Sequence, residues 1–308
     1  MSARIALLCG GVGGAKLARG FHLLAPDVEL TVIVNTGDDF EHLGLLICPD
    51  IDTVLYTLTG QANQAQGWGR EDESWTFMRV LRSLGGEDWF QLGDGDLALH
   101  MLRTERMRQG RKLSGIIADV AQAWGLGTAV LPMSDHPVRT LVHTDEGVLA
   151  FQRYFVEQRC RPITRQISFA GADTARPAPG VLEAIEAADI LAVAPSNPFL
   201  SIDPILSVPG IADAIRQRAG PVIAVSPLVG GKAVKGPTDK LMAELGFAIG
   251  NDSIARHYQG LIHGLLIHQD DPAPAGVRTA SADILMRDDA DRMRVARDVL
   301  SLAVEIAG

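Results

Sequence analysis

Short unbroken apolar runs alternate along this chain with stretches whose apolar positions recur every three or four residues. The runs at 4–9, 30–34, 128–131, 190–194, 222–225 and 265–268 read as strands covered on both faces, because a strand exposed on one side alternates apolar with polar. The periodic stretches at 53–58, 96–107, 114–124, 181–188, 211–218, 239–245, 253–258 and 289–306 predict helices, with Ser114 as an N-cap. Helical spacing also follows the first run, through Leu17, Ala18, Phe21 and Leu24. The middle of the chain breaks the rhythm. Residues 138–143 and 148–154 flank Thr144-Asp-Glu-Gly147 as a β-hairpin, and 166–169 adds a further strand. The pattern predicts one α/β domain over 1–308, a Rossmann-like, doubly wound and mostly parallel sheet, with a smaller α+β lobe inserted at roughly 55–175.

In such sheets ligands sit beyond the carboxyl ends of the strands, so the segments that follow the strands carry the chemistry. The first strand runs into Gly10-Gly-Val-Gly-Gly14-Ala-Lys16, a turn into a helix whose free amides favour an anion. This loop lacks the third glycine of G-x-G-x-x-G, because Lys16 stands there, and lacks the Gly-Lys-Ser/Thr of a Walker loop. The second strand ends in Asn35-Thr-Gly-Asp38-Asp39, the fourth in Pro195-Ser196-Asn197-Pro198, and the fifth in Ser226-Pro-Leu-Val-Gly230-Gly231-Lys232. Adjacent carboxylates near phosphates suit Mg²⁺, which binds through one or two carboxylates plus substrate oxygens; as solvated turn residues they need no ligand. Pro49-Asp50-Ile-Asp52-Thr53 adds two more acids, of which Asp52 can cap a helix from Thr53. Gly93-Asp94-Gly-Asp96 precedes a helix bearing His100, where Asp96 suffices as a cap and His100 as a satisfied core histidine.

Composition narrows the partners. The net charge of −9 argues against a nucleic-acid surface. The three cysteines, Cys9, Cys48 and Cys160, are widely spaced, without C-x-x-C, as expected of reduced cytoplasmic thiols. No apolar run approaches the ~20 residues of a membrane span, and residues 4–9 are too few for a signal peptide.

Taken together, Gly10–Lys16, Val34-Asn-Thr-Gly-Asp-Asp39, Cys48-Pro-Asp-Ile-Asp-Thr-Val-Leu-Tyr56, Leu92-Gly-Asp-Gly-Asp-Leu-Ala98, Leu131-Pro-Met-Ser-Asp135, Ala194-Pro-Ser-Asn-Pro198 and Ser226–Lys232 resemble the 2-phospho-L-lactate transferase family of coenzyme F420 biosynthesis. The resemblance implies a magnesium-dependent enzyme, a homodimer, that moves a phospho-acid from a guanylyl diphosphate donor to the ribitol hydroxyl of a deazaflavin. GMP leaves, and the acid is phospholactate, phosphoenolpyruvate or 3-phosphoglycerate. Carried over by motif, Asp38 and Asp52 are the metal candidates, and Asp38, Asp50 and Asp52 the catalytic ones. Asp52, Gln91 and Asp94 would face the deazaflavin. Gly10, Gly11, Gly13, Gly14, Lys16, Asn35, Ser196, Asn197, Gly230, Gly231 and Lys232 would surround the nucleotide and its phosphates. This chain departs from the family at Gln91, often lysine, and at Gly95, often arginine. Two other readings stand beside it: a regulator of the same superfamily that binds a nucleotide-sugar without chemistry, and a nicotinamide oxidoreductase. The latter is supported only by a strand followed by glycines and is weakened by the absent third glycine and the Asp38-Asp39 pair.

Overall fold

A computed structural model describes residues 2–308. The predicted parallel sheet is present with seven strands: β1 (Ala3–Cys9), β2 (Val28–Val34), β3 (Ala129–Pro132), β4 (Ile190–Val193), β5 (Val222–Val225), β6 (Gly264–His268) and β7 (Arg278–Ala282). Their spatial order is 3-2-1-4-5-6-7, and every neighbouring pair is parallel. Strand order therefore reverses at β1, between β2 and β4, where a doubly wound sheet opens its ligand crevice. The four strands whose ends carry the sequence motifs are four consecutive neighbours around that switch point.

β1 illustrates why these runs are unbroken. Its successive side chains point to opposite faces, Ile5, Leu7 and Cys9 into one core and Ala6 and Leu8 into the other. Each fully buried leucine there contributes about 2 kcal/mol of apolar burial. One face is covered by α1 (Gly11–His22), α2 (Pro49–Leu58) and the closing helix Asp289–Ala307. Helices Val181–Ala187 and Ile211–Gln217 cover the other. Between β2 and β3 the chain also forms α3 (Thr76–Ser83), α4 (Asp94–Arg108) and α5 (Leu113–Ala123).

β3 lies within the 55–175 stretch yet pairs with β2 as an edge of the central sheet. What departs from strand-helix alternation is the helical excursion before β3 and a separate antiparallel sheet after it, formed by Arg139–Thr144, Gly147–Ala150 and Thr164–Ala170. The hairpin around residues 144–147 is present, but its second strand stops at Ala150, and Arg153–Glu157 is a helical turn. Ser114 does not cap α5. The helix begins at Leu113, and Asp135 accepts from the Ser114 amide at 2.7 Å and from its hydroxyl at 2.8 Å. Asp52 and Asp96 likewise lie inside the first turns of α2 and α4.

Candidate active site

β1 delivers its chain directly into the N-terminus of α1. Gly11 has φ +64°, a left-handed conformation that a side chain rarely adopts. Gly13 and Gly14 are glycine for a different reason. A Cβ at 13 would sit 2.8 Å from the Pro195 carbonyl oxygen, and one at 14 would sit 2.7 Å from the Ser196 hydroxyl. The helix thus packs against the segment after β4, so these two glycines serve chain-on-chain contact at the switch point. Ser196 stitches the junction further, accepting from the Gly10 amide at 3.2 Å and donating to the Gly10 carbonyl at 2.6 Å.

The first free amide of α1 is taken by protein. Gly11 donates to Asp50 Oδ1 at 2.7 Å. Asn35, at the end of β2, donates through one amide nitrogen to Asp38, to Asp50 Oδ2 at 3.0 Å and to the Leu200 carbonyl at 3.3 Å. Asp38 and Asp50 are buried carboxylates with one shared donor. Burial raises Asp38 well above the carboxylate range, reinforced by the charges of Asp50 and Asp39. Burial likewise raises Asp50 to about 6, held down by Asn35 and the Gly11 amide. Burial raises Asp39 to about 7 against the pull of Arg139.

Asp52 has a cation already. The buried Arg103 of α4 forks onto both of its oxygens, with Nη1 3.1 Å from Oδ2 and Nη2 closer to Oδ1. Burial raises Asp52, and Arg103 and then His100 oppose the rise. Asp52, Asp96 and His100 lie close enough together to share a metal ion, but Arg103 competes for Asp52. Asp38 with Asp50 fits a hard divalent cation better: two buried carboxylates, neither paired with a basic side chain among the described residues.

These groups open onto a cavity of about 990 Å³ beyond the strand ends. Its wall includes Gly10, Gly11, Gly13, Lys16, Asp38, Asp50, Asp52, Gln91, Ser196 and Asn197. Gly14 and Asn35 stand behind that wall. Asp94 is elsewhere: its carboxylate accepts from the Thr76 amide at 3.1 Å and the Phe77 amide at 3.0 Å, capping α3. Gly230, Gly231 and Lys232 form a tight turn outside the wall, with the Gly230 amide donating to Asp271 at 2.8 Å. Lys235, three residues on, lines the cavity instead. Gly95 is also outside the wall, its space taken by Arg70, whose Nη1 would lie 2.6 Å from a Cβ.

Across this span, a family model described as 2-phospho-L-lactate transferase CofD matches residues 5–304. The chain belongs to that family. Proteins named phosphoenolpyruvate transferase are similar to it along their whole length: 43% identical in Streptomyces griseus over 98% of this chain and 99% of that one, and 42% identical in Kitasatospora aureofaciens over 98% of each. Two crystal structures of a Bacillus halodurans protein, one described as a member of the UPF0052 family, match with TM-scores of 0.65 and 0.66. At 18% identity, over 97% of this chain and 100% of theirs, they share its fold. The chain is thus of a transferase family belonging to coenzyme F420 biosynthesis. Among its described residues no single helix is long and apolar enough to cross a membrane.

Sequence reasoning about this transferase missed one wall of the cavity. Trp68, Trp89, Phe90, Phe151 and Phe155 line it, with Arg153 stacked 4.2 Å from the Trp89 ring centroid. They come from three separate segments, so no local spacing marks them. Gln91 sits beside this wall, accepting from Arg82 and donating to the Asp88 carbonyl at 2.6 Å. Cations line the cavity too: Lys16, Lys235 and Arg159, the last at φ +52°. Burial lowers the Lys16 ammonium, and desolvation and then the charge of Lys16 lower Lys235.

Proposed function

We propose that this transferase moves a phosphoenolpyruvyl group from a guanylyl diphosphate donor to the ribitol hydroxyl of 7,8-didemethyl-8-hydroxy-5-deazariboflavin, releasing GMP and forming the glutamate-free F420 precursor. The name carried by its 43%-identical relative favours phosphoenolpyruvate over phospholactate or 3-phosphoglycerate as the acid. The observation that carries the reading is that one cavity joins a carboxylate cluster, unpaired cations and an aromatic wall. An aromatic wall suits a flat tricyclic ring, and cations with strand-end amides suit a diphosphate.

In the reaction the ribitol oxygen attacks the phosphorus of the phospho-acid, the bond from that phosphorus to the GMP oxygen breaks, and the hydroxyl proton is lost. The protein's task is alignment and neutralisation of charge. Lys16 and Lys235 would meet the donor's phosphates, with Ser196 and Asn197 at the floor. Asn197 Nδ2 is buried without a partner among the described residues, so it is free to donate to a donor oxygen. Asp52 would accept from the ribitol hydroxyl. Mg²⁺, held by Asp38 and by Asp50 in preference to the already paired Asp52, would supply charge neutralisation on the diphosphate. We further propose a cytoplasmic homodimer. The test is incubation with deazaflavin, Mg²⁺ and each of the three donors, with products identified by mass spectrometry. The reading expects the phosphoenolpyruvyl adduct and GMP; donor binding without any adduct would favour the regulator.

A further inference from the structure

Asp52 belongs to a chain of polar groups, Arg103, His100, Asp96 and Tyr56, of which all but Arg103 line the cavity. Arg103 is about 1% exposed, the largest of the fully buried side chains, and does not line the cavity. Its Nη1 also donates to the Leu46 carbonyl at 3.3 Å, which pins the guanidinium from the core side. His100 Nδ1 lies 3.4 Å from that same nitrogen and 3.6 Å from Asp52 Oδ2. On its other side, His100 Nε2 lies 3.2 Å from Asp96 Oδ2, and Asp96 Oδ1 accepts from the Tyr56 hydroxyl at 2.5 Å.

We infer that Arg103 is a positioning residue: by gripping both oxygens of Asp52 it fixes that carboxylate in a single orientation toward the acceptor's hydroxyl. This rests on the functional reading above. A lone carboxylate at the start of α2 could rotate about its last torsion. A planar guanidinium fork permits one rotamer, and leaves only the outward lone pairs to face the cavity. The pair is a poor device for stability alone, since burying two charges costs about as much as their attraction returns, and an apolar pair of equal volume would hold α2 against α4 as well. What an apolar pair would lose is the directed acceptor. His100, held between Asp52 and Asp96, backs the fork from the side.

A double-mutant cycle separates this from a purely architectural role. Deazaflavin affinity would be measured by ligand fluorescence, and donor affinity by calorimetry with GDP, for wild type, Arg103→Met, Asp52→Asn and the double variant. Each single substitution is expected to weaken deazaflavin binding at least ~10-fold, while Arg103→Met adds less than ~2-fold on the Asp52→Asn background. GDP affinity should change by less than ~2-fold throughout. Arg103→Lys, which keeps the charge but not the fork, should fall between wild type and Arg103→Met, and it carries the test should Arg103→Met fail to fold. Additive losses in the cycle, full rescue by lysine, or parallel loss of GDP and deazaflavin affinity would each overturn the inference. A wild-type protein that binds no deazaflavin would overturn the functional reading as well, which distinguishes the two failures.

Discussion

Asp38 and Asp50 share one amide donor in a buried setting, an arrangement that holds charge poorly until a cation arrives. Asp38→Asn should therefore cut magnesium-dependent turnover by at least ~10²-fold, an electrostatic loss of a few kcal/mol. The melting temperature should not fall, because the substitution also removes a repulsion. Near-wild-type turnover with an intact fold would take Asp38 out of the mechanism. Asp39 makes a different prediction. Its folded pKa of about 7 stands above that of an unfolded aspartate. The unfolded chain thus releases this proton from about pH 4, while the folded chain keeps it to about pH 7. Stability from this group is full below the unfolded value and drains as pH rises between the two. Asp39→Asn cannot titrate, so it should lose ~1–3 kcal/mol less than wild type between pH 4.5 and 7.5 in metal-free denaturant titrations. Parallel pH profiles for the two proteins would contradict this.

At the scale of elements, α1 is held by close approaches at both ends. Gly13 meets Pro195, and a Cβ at Gly20 would come within 2.2 Å of the Arg292 carbonyl oxygen in the closing helix. Gly13→Val should push the 195–197 segment away and abolish guanine-nucleotide binding. Gly20→Ala, at the far end, should lower stability by ~1–3 kcal/mol through overpacking and leave nucleotide affinity near wild type. Calorimetry and melting curves on both variants check the contrast; equal affinity in the two would mean that the 195–197 turn does not floor the donor site. The same elements explain what could be read from the chain. Parallel strands buried on both faces are unbroken apolar runs, so six of the seven were legible. β7 reads Arg-Thr-Ala-Ser-Ala, an edge strand with little apolar content. α3 escaped notice because it is largely exposed and its N-terminal amides are capped by Asp94, 17 and 18 residues away. Distant caps also displaced local ones: Asp135 replaced Ser114, and Glu73 caps α4 through the Gly95 and Asp96 amides at 2.6 and 2.8 Å. The glycine-rich turn after β5 was visible, but which lysine enters the cavity depends on hairpin geometry, and Lys235 enters rather than Lys232.

For the molecule as a whole, a chain of net charge −9 gathers Lys16, Lys235 and Arg159 around one cavity together with acids and aromatics. The strand order that puts β2, β1, β4 and β5 side by side makes this gathering possible, since their trailing segments have only one edge to meet at. The central claim is that donor and acceptor occupy this single space together. A crystal structure with GDP, Mg²⁺ and deazaflavin tests it most directly. The account predicts the diphosphate between Lys16 and Lys235 and the ring against Trp89 and Phe155. It also predicts the ribitol beside Asp52. Deazaflavin bound outside the cavity, or a diphosphate remote from both lysines, would contradict it.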